Sequence, residues 1–486
     1  MEFLSVNGSH ITDTKGKPVL LRGVSIGGWM NMEDFINGYP GSEEGLRETM
    51  ADTLGKVKAG YFFERMLDYI FSEKDAQFLA ELGMNLVRLP LNYRRFEDDL
   101  TPFSYKEAAF LRLDRALDWC EKHGLYAILD MHAVQGWQNS DWHCDNSSRH
   151  SLFWKHSHFQ DRFIALWLEI AARYKDRAAV AGYDLMNEPI CNVWRGRFTD
   201  TYEPDWSLLN NVYRRTVNEI RKVDPKHIIY LEGDNFSTLF SGMEPPFAEN
   251  LVYSSHNYIE SGLSGSYPGH PDNFWINSGK TAWWDKEKQR EIFFGCEGAV
   301  FAKKYNVPLW VSEFGSAYNG PPEKVEDRLR SLDDQLDIFG EFGASWAIWT
   351  YKDLGTMASL KADPESDYMQ LIKPVLEKKE LLNSHFGVSW LPPNATMQKL
   401  HALADDIGAI IDMPHIHQTA NRKYLGQSVF SEFAAIQLQP AYAQCFKGMT
   451  EQRLDEVLSA FALDNCVKNT GLLDLFKKHL GEKKRD

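Results

Sequence analysis

Two glutamates stand at the ends of apolar runs in this chain of 486 residues. Glu188 follows the run VAGYDLM, within YDLMNEP, and Glu313 ends the run VPLWVSE, within WVSEFG. Two carboxyl groups that reach one bound molecule can work together, one as a proton donor and the other as a nucleophile or base. The two residues are 125 positions apart (313 − 188) in the sequence. Only the fold can therefore bring them together.

Other polar and aromatic residues also stand where apolar runs stop. They are Arg88, His132, Asn187, His256, Tyr258 and Trp349. An arginine can hold a nearby carboxylate ionised through its opposite charge, and a tryptophan offers a flat apolar face of the kind that binds a sugar ring. Each residue also has a simpler explanation, such as a salt bridge between strands, a satisfied histidine or a core tryptophan. Their shared position at strand ends favours a common site.

Eight short apolar runs alternate with segments of helical periodicity. The runs are VLLRGVSI, NLVRLPL, YAILDM, VAGYDLM, HIIYLEG, NLVYSSH, VPLWVSE and SWAIWTY. The helical candidates are Ser72–Leu82, Glu107–His123, Phe159–Tyr174, Trp206–Val223, Trp284–Tyr305 and Glu323–Phe342. Buried strands separated by helices indicate parallel pairing with crossover connections. The pattern predicts an α/β fold, a (β/α)8 TIM barrel, with an open doubly wound sheet as the alternative.

The two ends of the chain differ from this alternating pattern. SVNGSHITD and KPVLLRG flank a Thr-Lys-Gly turn, and the hairpin that they predict could close the bottom of a barrel. From about Met397 the pattern is helical only, and MQKLHALADDIGAIID is a candidate for the last barrel helix. We predict a catalytic barrel with its hairpin over residues 1–412 and a helical extension over residues 413–486.

The strand ends resemble the motifs of glycoside hydrolase family 5, in clan A. The matching segments are LVRLPLNY, ILDMHAVQGWQN, YDLMNEP, SSHNY, WVSEFG and AIWTYKD, in the family's order between Val19 and Asp353. LRGVSIGGWMNMEDFI and HAVQGWQN…DN also resemble the exo-acting glucanase and β-glycosidase branch. Gln135 departs from that branch, in which a proline is usual, so the resemblance does not extend to glucan specificity.

This resemblance implies a retaining glycosidase that cleaves terminal or short β-glycosides by double displacement. Glu188 matches the acid/base and Glu313 the nucleophile, and retention requires their carboxyl groups to lie about 5–5.5 Å apart. In a closed barrel the fourth and seventh strands face each other across the axis, so both side chains can reach one substrate. The resemblance implies the remaining roles as well. Arg88 and Tyr258 would support the nucleophile, Asn187 would bind the sugar's 2-hydroxyl, His132 and His256 would line the pocket, and Trp349 would lie under the sugar.

The long loop after the third run offers further sugar contacts. Its candidates are Trp137, Asn139 and Trp142, with Asp141, His143, Asp145 and Asn146 beside them. The segment from Trp29 to about Phe63, Trp194 and the pair Trp283-Trp284 are other candidate walls. Loops of this length are uncommon in compact domains unless they are functional or disordered. We expect them to cover one side of the barrel mouth.

Composition excludes some partners and favours others. A formal net charge of −15 argues against nucleic acid, which is bound through Lys and Arg. No apolar run is long enough for a membrane span, and the start of the chain shows no secretory signal. With six cysteines and no C-x-x-C pair, we expect a cytoplasmic protein.

No metal or nucleotide cofactor is expected, because the chain lacks H-x-x-x-H spacing, a G-x-G-x-x-G after the first strand and a P-loop. The expected partner is a small carbohydrate or glycoside. Three alternatives remain open: a glycosidase acting on a furanoside, a transglycosylase, and a non-hydrolytic carbohydrate-binding protein. The sequence leaves the oligomeric state undetermined.

Overall fold

Eight parallel strands close into a barrel in the computed structural model, which describes residues 1–192, 202–258, 266–269, 283–382, 394–413, 421–422 and 425–481. The strands are β1 (Arg22–Ser25), β2 (Leu86–Asn92), β3 (Tyr126–Ala133), β4 (Val180–Asp184), β5 (Ile228–Glu232), β6 (Leu251–His256), β7 (Leu309–Glu313) and β8 (Ser345–Ile348). Each strand pairs with the next along the chain, and β8 pairs with β1 in parallel to complete the circle. The predicted TIM barrel is confirmed.

Helices surround the barrel on the connections between strands. Those before β5 are Asp34–Asn37, Glu43–Leu54, Lys56–Ile70, Glu73–Glu81, Tyr93–Phe96, Glu107–His123, Ser157–Tyr174 and Trp206–Val223. A turn at Asp234–Ser237 follows β5. The helices after it are Lys286–Gly295, Glu297–Tyr305, Pro322–Phe342, Asp367–Leu381, Ala395–Ile410, Ala435–Gln444, Glu451–Leu458 and Thr470–Leu480. Within the described ranges, every helix fails in length or in apolar character as a candidate to span a bilayer.

Two connections differ from the sequence prediction. The helix predicted over Trp284–Tyr305 is broken at Cys296, whose extended backbone separates Lys286–Gly295 from Glu297–Tyr305. The segment from Trp29 to Phe63 is largely helical, whereas the sequence suggested a long loop. Helix Lys56–Ile70, which begins in this segment, buries one apolar side against the protein core. This packing explains why the chain is helical here and not a loop.

The barrel interior is built in layers. An apolar layer fills the lower part, formed by Leu21, Leu86, Ile128, Ala181, Ile228, Tyr230, Val252, Trp310 and Ala347. Since side chains alternate between the two faces of a strand, residues two positions further along point into the same interior, and a register shift between β3 and β4 adds one position at Asp184. On β2 to β5 these residues are ionisable: Arg88, Asp130, Asp184 and Glu232, all fully buried. The apolar layer thus supports a charged layer directly beneath the strand ends.

The N-terminal hairpin closes the bottom of the barrel. Its strands, Ser5–Asn7 and His10–Thr12, pair around a Gly-Ser turn. Gly8 favours this tight turn because its φ of 56° is one that glycine adopts without strain. The predicted Thr-Lys-Gly turn follows it and is also formed, with an antiparallel bridge between Thr12 and Pro18 and backbone hydrogen bonds from Asp13 to Lys17 and from Val19 to Ile11. Leu4 and Ile11 pack against the apolar layer of the interior.

The predicted C-terminal extension contributes to the ring of helices around the barrel. Helix Thr470–Leu480 packs against Pro322–Phe342, and its Phe476 stacks on Trp346 of β8 with ring centroids 6.4 Å apart. It therefore occupies the place of the eighth barrel helix, for which the sequence offers MQKLHALADDIGAIID as a candidate. A short sheet of Lys352–Asp353, Leu360–Ala362 and Cys466–Lys468 connects the chain before and after the inserted helices. The domain boundary at residue 412 stays a prediction.

Candidate active site

The two predicted catalytic glutamates meet at the carboxyl ends of β4 and β7. One carboxylate oxygen of Glu188 and one of Glu313 lie within 4.8 Å of each other. Both side chains are largely buried, with Glu188 9 % and Glu313 5 % exposed. Two carboxyl groups this close match the spacing of a retaining pair better than the wider gap of an inverting pair, which leaves room for a water molecule.

Arg88 binds the carboxylate of Glu313 from below. Its Nη1 donates to Glu313 Oε1 at 2.5 Å, its Nη2 donates to Asn187 Oδ1 at 2.7 Å, and the Tyr258 hydroxyl donates to Glu313 Oε2 at 3.0 Å. Burial favours the neutral acid, but the charges of His256 and Arg88 outweigh it and hold the pKa of Glu313 below its usual value. Glu313 is therefore ionised at neutral pH, as a nucleophile must be.

His256 lies between the two glutamates. Its Nδ1 is 2.6 Å from Glu188 Oε1 and 3.6 Å from Glu313 Oε2. Burial opposes its positive charge, yet the carboxylates of Glu313, Glu232 and Glu188 together raise the pKa of His256 well above its usual value. The ring therefore carries a positive charge that both glutamates share.

His132 and Trp349 form a second side of the pocket. Their rings stack almost in parallel, with centroids 5.2 Å apart, and His132 Nδ1 is 2.8 Å from Asp130 Oδ2. Burial opposes the charge on His132, but Asp130 and then Glu33 raise its pKa to about 10. The peptide bond between Trp349 and Thr350 is cis. These two predicted residues are thus brought into the same site as the glutamates.

Asn187 lies directly before the acid/base candidate and is fully buried. Its Oδ1 accepts from Arg88, and its Nδ2 is 3.4 Å from His132 Nε2. The side chain therefore connects two charged residues of the site. Its predicted contact with a sugar hydroxyl stays a prediction.

The third loop places three of its predicted residues at the site. Asn139 Nδ2 donates to the backbone oxygen of Glu188 at 2.8 Å, so this buried side chain supports the acid/base. Trp142 packs at the rim against Phe35, with ring centroids 6.0 Å apart. Between them, His143 Nε2 approaches Glu188 Oε2 to 3.2 Å.

Trp137 has a different environment. Its indole Nε1 donates to the backbone oxygen of Asp145 at 2.9 Å, and the Arg94 guanidinium lies 5.8 Å from its ring centroid. These contacts hold the third loop together. Of the other candidate walls, Trp284 is buried and Trp283 exposed, and Trp194 lies outside the described residues.

Four acidic residues of the site were not singled out from the sequence. Asp130, Asp184 and Glu232 form the charged layer around Arg88, whose Nη2 lies 3.1, 3.6 and 3.4 Å from their respective carboxylates. Glu33 lies 3.4 Å from His132 Nε2, and burial raises its pKa to about 7. Glu232 is the last residue of β5, so the reading of strand ends could have found it.

Among the described residues, two groups of carboxylate and histidine ligands have the spacing that a metal ion would require. In each group, Glu188, His256 and Glu313 or Asp130, Asp184 and Glu232, one ligand atom per residue lies within 4.8 Å of the others. Arg88 and His256 already place positive charge beside these oxygens. A metal is therefore not required to balance the charge of the site, and its expected absence stays a prediction.

Comparison with known proteins adds independent information. Residues 64–355 match the family model described as cellulase (glycosyl hydrolase family 5). A β-xylosidase of Phanerodontia chrysosporium is 35 % identical over 493 aligned residues, which cover 97 % of each chain. A glucan 1,3-β-glucosidase of Pichia angusta is 23 % identical, covering 69 % of this chain and 82 % of its own.

Solved structures share the fold. One described as the crystal structure of a glycoside hydrolase superposes with a TM-score of 0.51 at 21 % identity, covering 69 % of this chain and 90 % of its own. An endogalactoceramidase gives a TM-score of 0.51 at 18 % identity, covering 73 % of this chain and 75 % of its own. At such identities the likeness concerns the fold alone.

Proposed function

The chain belongs to glycoside hydrolase family 5, and from that premise we propose that it is a retaining β-glycosidase of terminal or short glycosides. Membership makes it an enzyme that hydrolyses O-glycosidic bonds. The observation that carries the finer proposal is the pair Glu188 and Glu313, with carboxylate oxygens within 4.8 Å and Arg88 on Glu313. That spacing supports a covalent intermediate.

In the first step Glu313 attacks the anomeric carbon of the bound sugar. The bond from that carbon to the glycosidic oxygen breaks, and the leaving oxygen takes the proton of Glu188. The contacts from Arg88 and Tyr258 keep the attacking carboxylate ionised and oriented. The product of this step is a glycosyl ester on Glu313, with Glu188 now ionised.

In the second step water replaces Glu313 at the same carbon. Glu188 takes a proton from the water, the new carbon–oxygen bond forms, and the ester bond to Glu313 breaks. Two displacements at one carbon restore its original configuration. His256, which touches both glutamates, can stabilise the negative charge as it moves from one to the other.

A β-xyloside is the first candidate substrate. The supporting observation is that the likeness to a relative named β-xylosidase extends over 97 % of both chains. A β-glucoside is the second candidate, supported by the more distant glucan 1,3-β-glucosidase. Arg88 and Tyr258 on Glu313 favour catalysis over mere sugar binding, since binding would not need an activated nucleophile.

Proton NMR during hydrolysis of an aryl β-xyloside tests the mechanism, with the β-glucoside run in parallel. We expect the β-anomer of the sugar to appear first and to mutarotate later. A 2-fluoro sugar with a good leaving group should then label Glu313, identified by peptide mass spectrometry. Initial release of the α-anomer, or labelling of another residue, would contradict the proposal.

We also propose a cytoplasmic location, supported by six cysteines that are all unpaired in the structure. Fractionation of source cells with an antibody to this chain tests it. Recovery mainly from the medium or from vesicles would contradict it.

A further inference from the structure

We propose that Glu232 is a positioning residue for both catalytic glutamates, a role that rests on the proposed function of Glu188 and Glu313. Glu232 ends β5 and is fully buried. Its two oxygens serve different partners: Oε2 faces the backbone of Glu188, and Oε1 faces Arg88 and His256. Glu232 thus binds the backbone N–H of Glu188, the proposed acid/base. It also lies beside Arg88 and His256, the two cations next to Glu313, the proposed nucleophile.

The first contact fixes an unusual backbone. Glu188 has a φ of 47°, in the left-handed region, where a residue with a Cβ is held only if its surroundings determine it. Its N–H donates to Glu232 Oε2 at 2.7 Å, and its backbone oxygen accepts from Asn139. Glu232 therefore helps to set the direction in which the Glu188 side chain leaves the backbone.

The same oxygen also holds the turn that follows β5. Ser237 Oγ donates to Glu232 Oε2, and Asn235, Phe236 and Ser237 all have positive φ, from 52° to 58°. The ring of Phe236 lies 6.2 Å from that of His143, which in turn approaches Glu188. Oε2 of Glu232 thus accepts from the backbone of Glu188 and from the turn that carries Phe236. This turn packs against His143, a neighbour of the Glu188 side chain.

The second oxygen acts through charge. Glu232 Oε1 lies 3.4 Å from Arg88 Nη2 and 3.5 Å from His256 Nε2. The opposite ring nitrogen of His256 contacts Glu188 and approaches Glu313. The imidazole of His256 therefore lies between the buried carboxylate of Glu232 on one side and the carboxylates of Glu188 and Glu313 on the other. Burial disfavours the charge of Glu232, but His256 and Arg88 lower its pKa to about 2.

Asp184 offers a matched control in the same charged layer. It is fully buried, its Oδ2 lies 3.6 Å from Arg88 Nη2, and burial together with the charges of Glu232 and Asp130 raises its pKa well above the usual value. This shift favours the protonated, neutral form of Asp184, which Asp184→Asn imitates in shape and charge. Glu232→Gln makes the same change in shape but removes a charge.

The test compares Glu232→Gln, Glu232→Ala and Asp184→Asn in the full chain, with thermal unfolding to check folding. For Glu232→Gln we expect kcat on aryl β-xylosides to fall by about 10- to 100-fold, the range that misplacement of a reacting group produces. KM should change little, because Glu232 does not contact the substrate. Glu232→Ala, which also loses the acceptor for the Glu188 N–H, should fall further, and Asp184→Asn should fall by less than about tenfold.

The pH profile supplies the readout that packing alone would not move. Glu232 faces Arg88 and His256, with Asp130 and Asp184 beside it in the layer. Removing its negative charge lowers the pKa of His256 and also that of Glu313, since Glu232 raises both. The acid limb of the kcat/KM profile, which reports the ionisation of Glu313, should therefore move to lower pH in Glu232→Gln.

Three results separate the possible failures. A folded Glu232→Gln enzyme with wild-type kcat and an unmoved acid limb would overturn the positioning role. Equal losses in Glu232→Gln and Asp184→Asn with an unmoved acid limb would also overturn it, since the effect would then come from packing. If instead Glu313→Ala keeps wild-type activity, the proposed function itself fails.

Discussion

At the scale of single residues, the site depends on an uneven distribution of charge around two similar carboxyl groups. Glu313 has Arg88 and Tyr258 as direct donors, whereas Glu188 faces His256 and His143. The same residue type is thereby prepared for two tasks. Substitutions of the residues around Glu313 and of those around Glu188 should therefore affect different steps of the reaction.

The acid/base role predicts a selective defect. In Glu188→Ala, substrates with good leaving groups need little protonation, so they should still form the glycosyl ester while its hydrolysis slows. Added azide should restore turnover of such substrates, because it attacks the ester without help from a base. Release of a β-glycosyl azide, followed by chromatography, is the measurement. An equal loss on good and poor leaving groups, without azide rescue, would contradict the role.

The contact between Arg88 and Glu313 predicts a shift in the acid limb. A lysine keeps the charge of Arg88 but cannot bind Glu313 and Asn187 with one planar group. In the unmodified enzyme Arg88 helps to hold the pKa of Glu313 low. In Arg88→Lys this pKa should rise, and the acid limb of kcat/KM should move to higher pH. The rate should fall by about 100-fold or more. An unmoved acid limb would argue against this contact. Glu232→Gln is the contrasting control, because its acid limb should move to lower pH.

The strand ends predicted the residues that meet at the barrel mouth, because the carboxyl ends of parallel strands must lie together. They did not predict Asp130 and Asp184, which lie inside the barrel. Acidic residues are rarely fully buried, and nothing local in YAILDM or VAGYDLM tells whether a charge points inward. Only the closed barrel brings Arg88 within reach of both carboxylates.

At the scale of elements, the strands could be predicted and the eighth helix could not. Apolar runs mark the strands wherever they occur in the chain. A helix that completes the barrel is usually expected soon after its strand, but here Thr470–Leu480 follows β8 by more than a hundred residues. Its buried residues Leu472, Leu473 and Phe476 have the ordinary periodicity of any packed helix, so the pattern alone cannot show which surface they cover.

This placement predicts that the end of the chain stabilises the barrel. Phe476 is fully buried against Trp346, and its replacement by alanine should lower the free energy of unfolding by about 3–5 kcal/mol. The matched control is Phe433, which lies in the segment between Ala362 and Cys466 and is 68 % exposed. Phe433→Ala should change the free energy of unfolding by no more than about 0.5 kcal/mol. Urea unfolding followed by tryptophan fluorescence measures both. Similar small effects of the two variants would contradict the packing of this helix as part of the barrel.

At the scale of the whole molecule, the barrel and the segments around it form one packed body. Helix Ala435–Gln444 packs against Glu43–Leu54, and Gln439 Nε2 donates to the backbone oxygens of Pro40 and Ser42. The inserted helices thus support the connection after β1 that carries Phe35 to the rim of the site. The insertion therefore has a route to the site through packing, although it contributes none of the predicted catalytic residues.

The shape of the mouth follows from how these connections meet. The loops after β1 and β3 are joined by the Phe35–Trp142 ring contact, by Asn31 Nδ2 donating to the backbone oxygen of His143, and by the Glu44 N–H donating to Asp145 Oδ1. A groove for a long polymer needs these two loops apart, so that the chain can extend on both sides of the cleavage point. Their contact closes one side and favours a pocket that accepts the end of a chain.

We therefore expect the enzyme to prefer short substrates. In a series of β-linked oligosaccharides from two to six units, kcat/KM should be highest for the shortest members, and single sugars should be released from one end. The physical reason is that the joined loops after β1 and β3 block one side of the mouth, so added units on that side bring no further binding energy to the transition state. Chromatography of the products over time measures both the rate and the release pattern. Trp142→Ala, which removes part of the joined wall, should reduce kcat/KM for the shortest substrate most. Faster cleavage of the longest substrates, with internal fragments as first products, would show instead that the mouth works as an open groove.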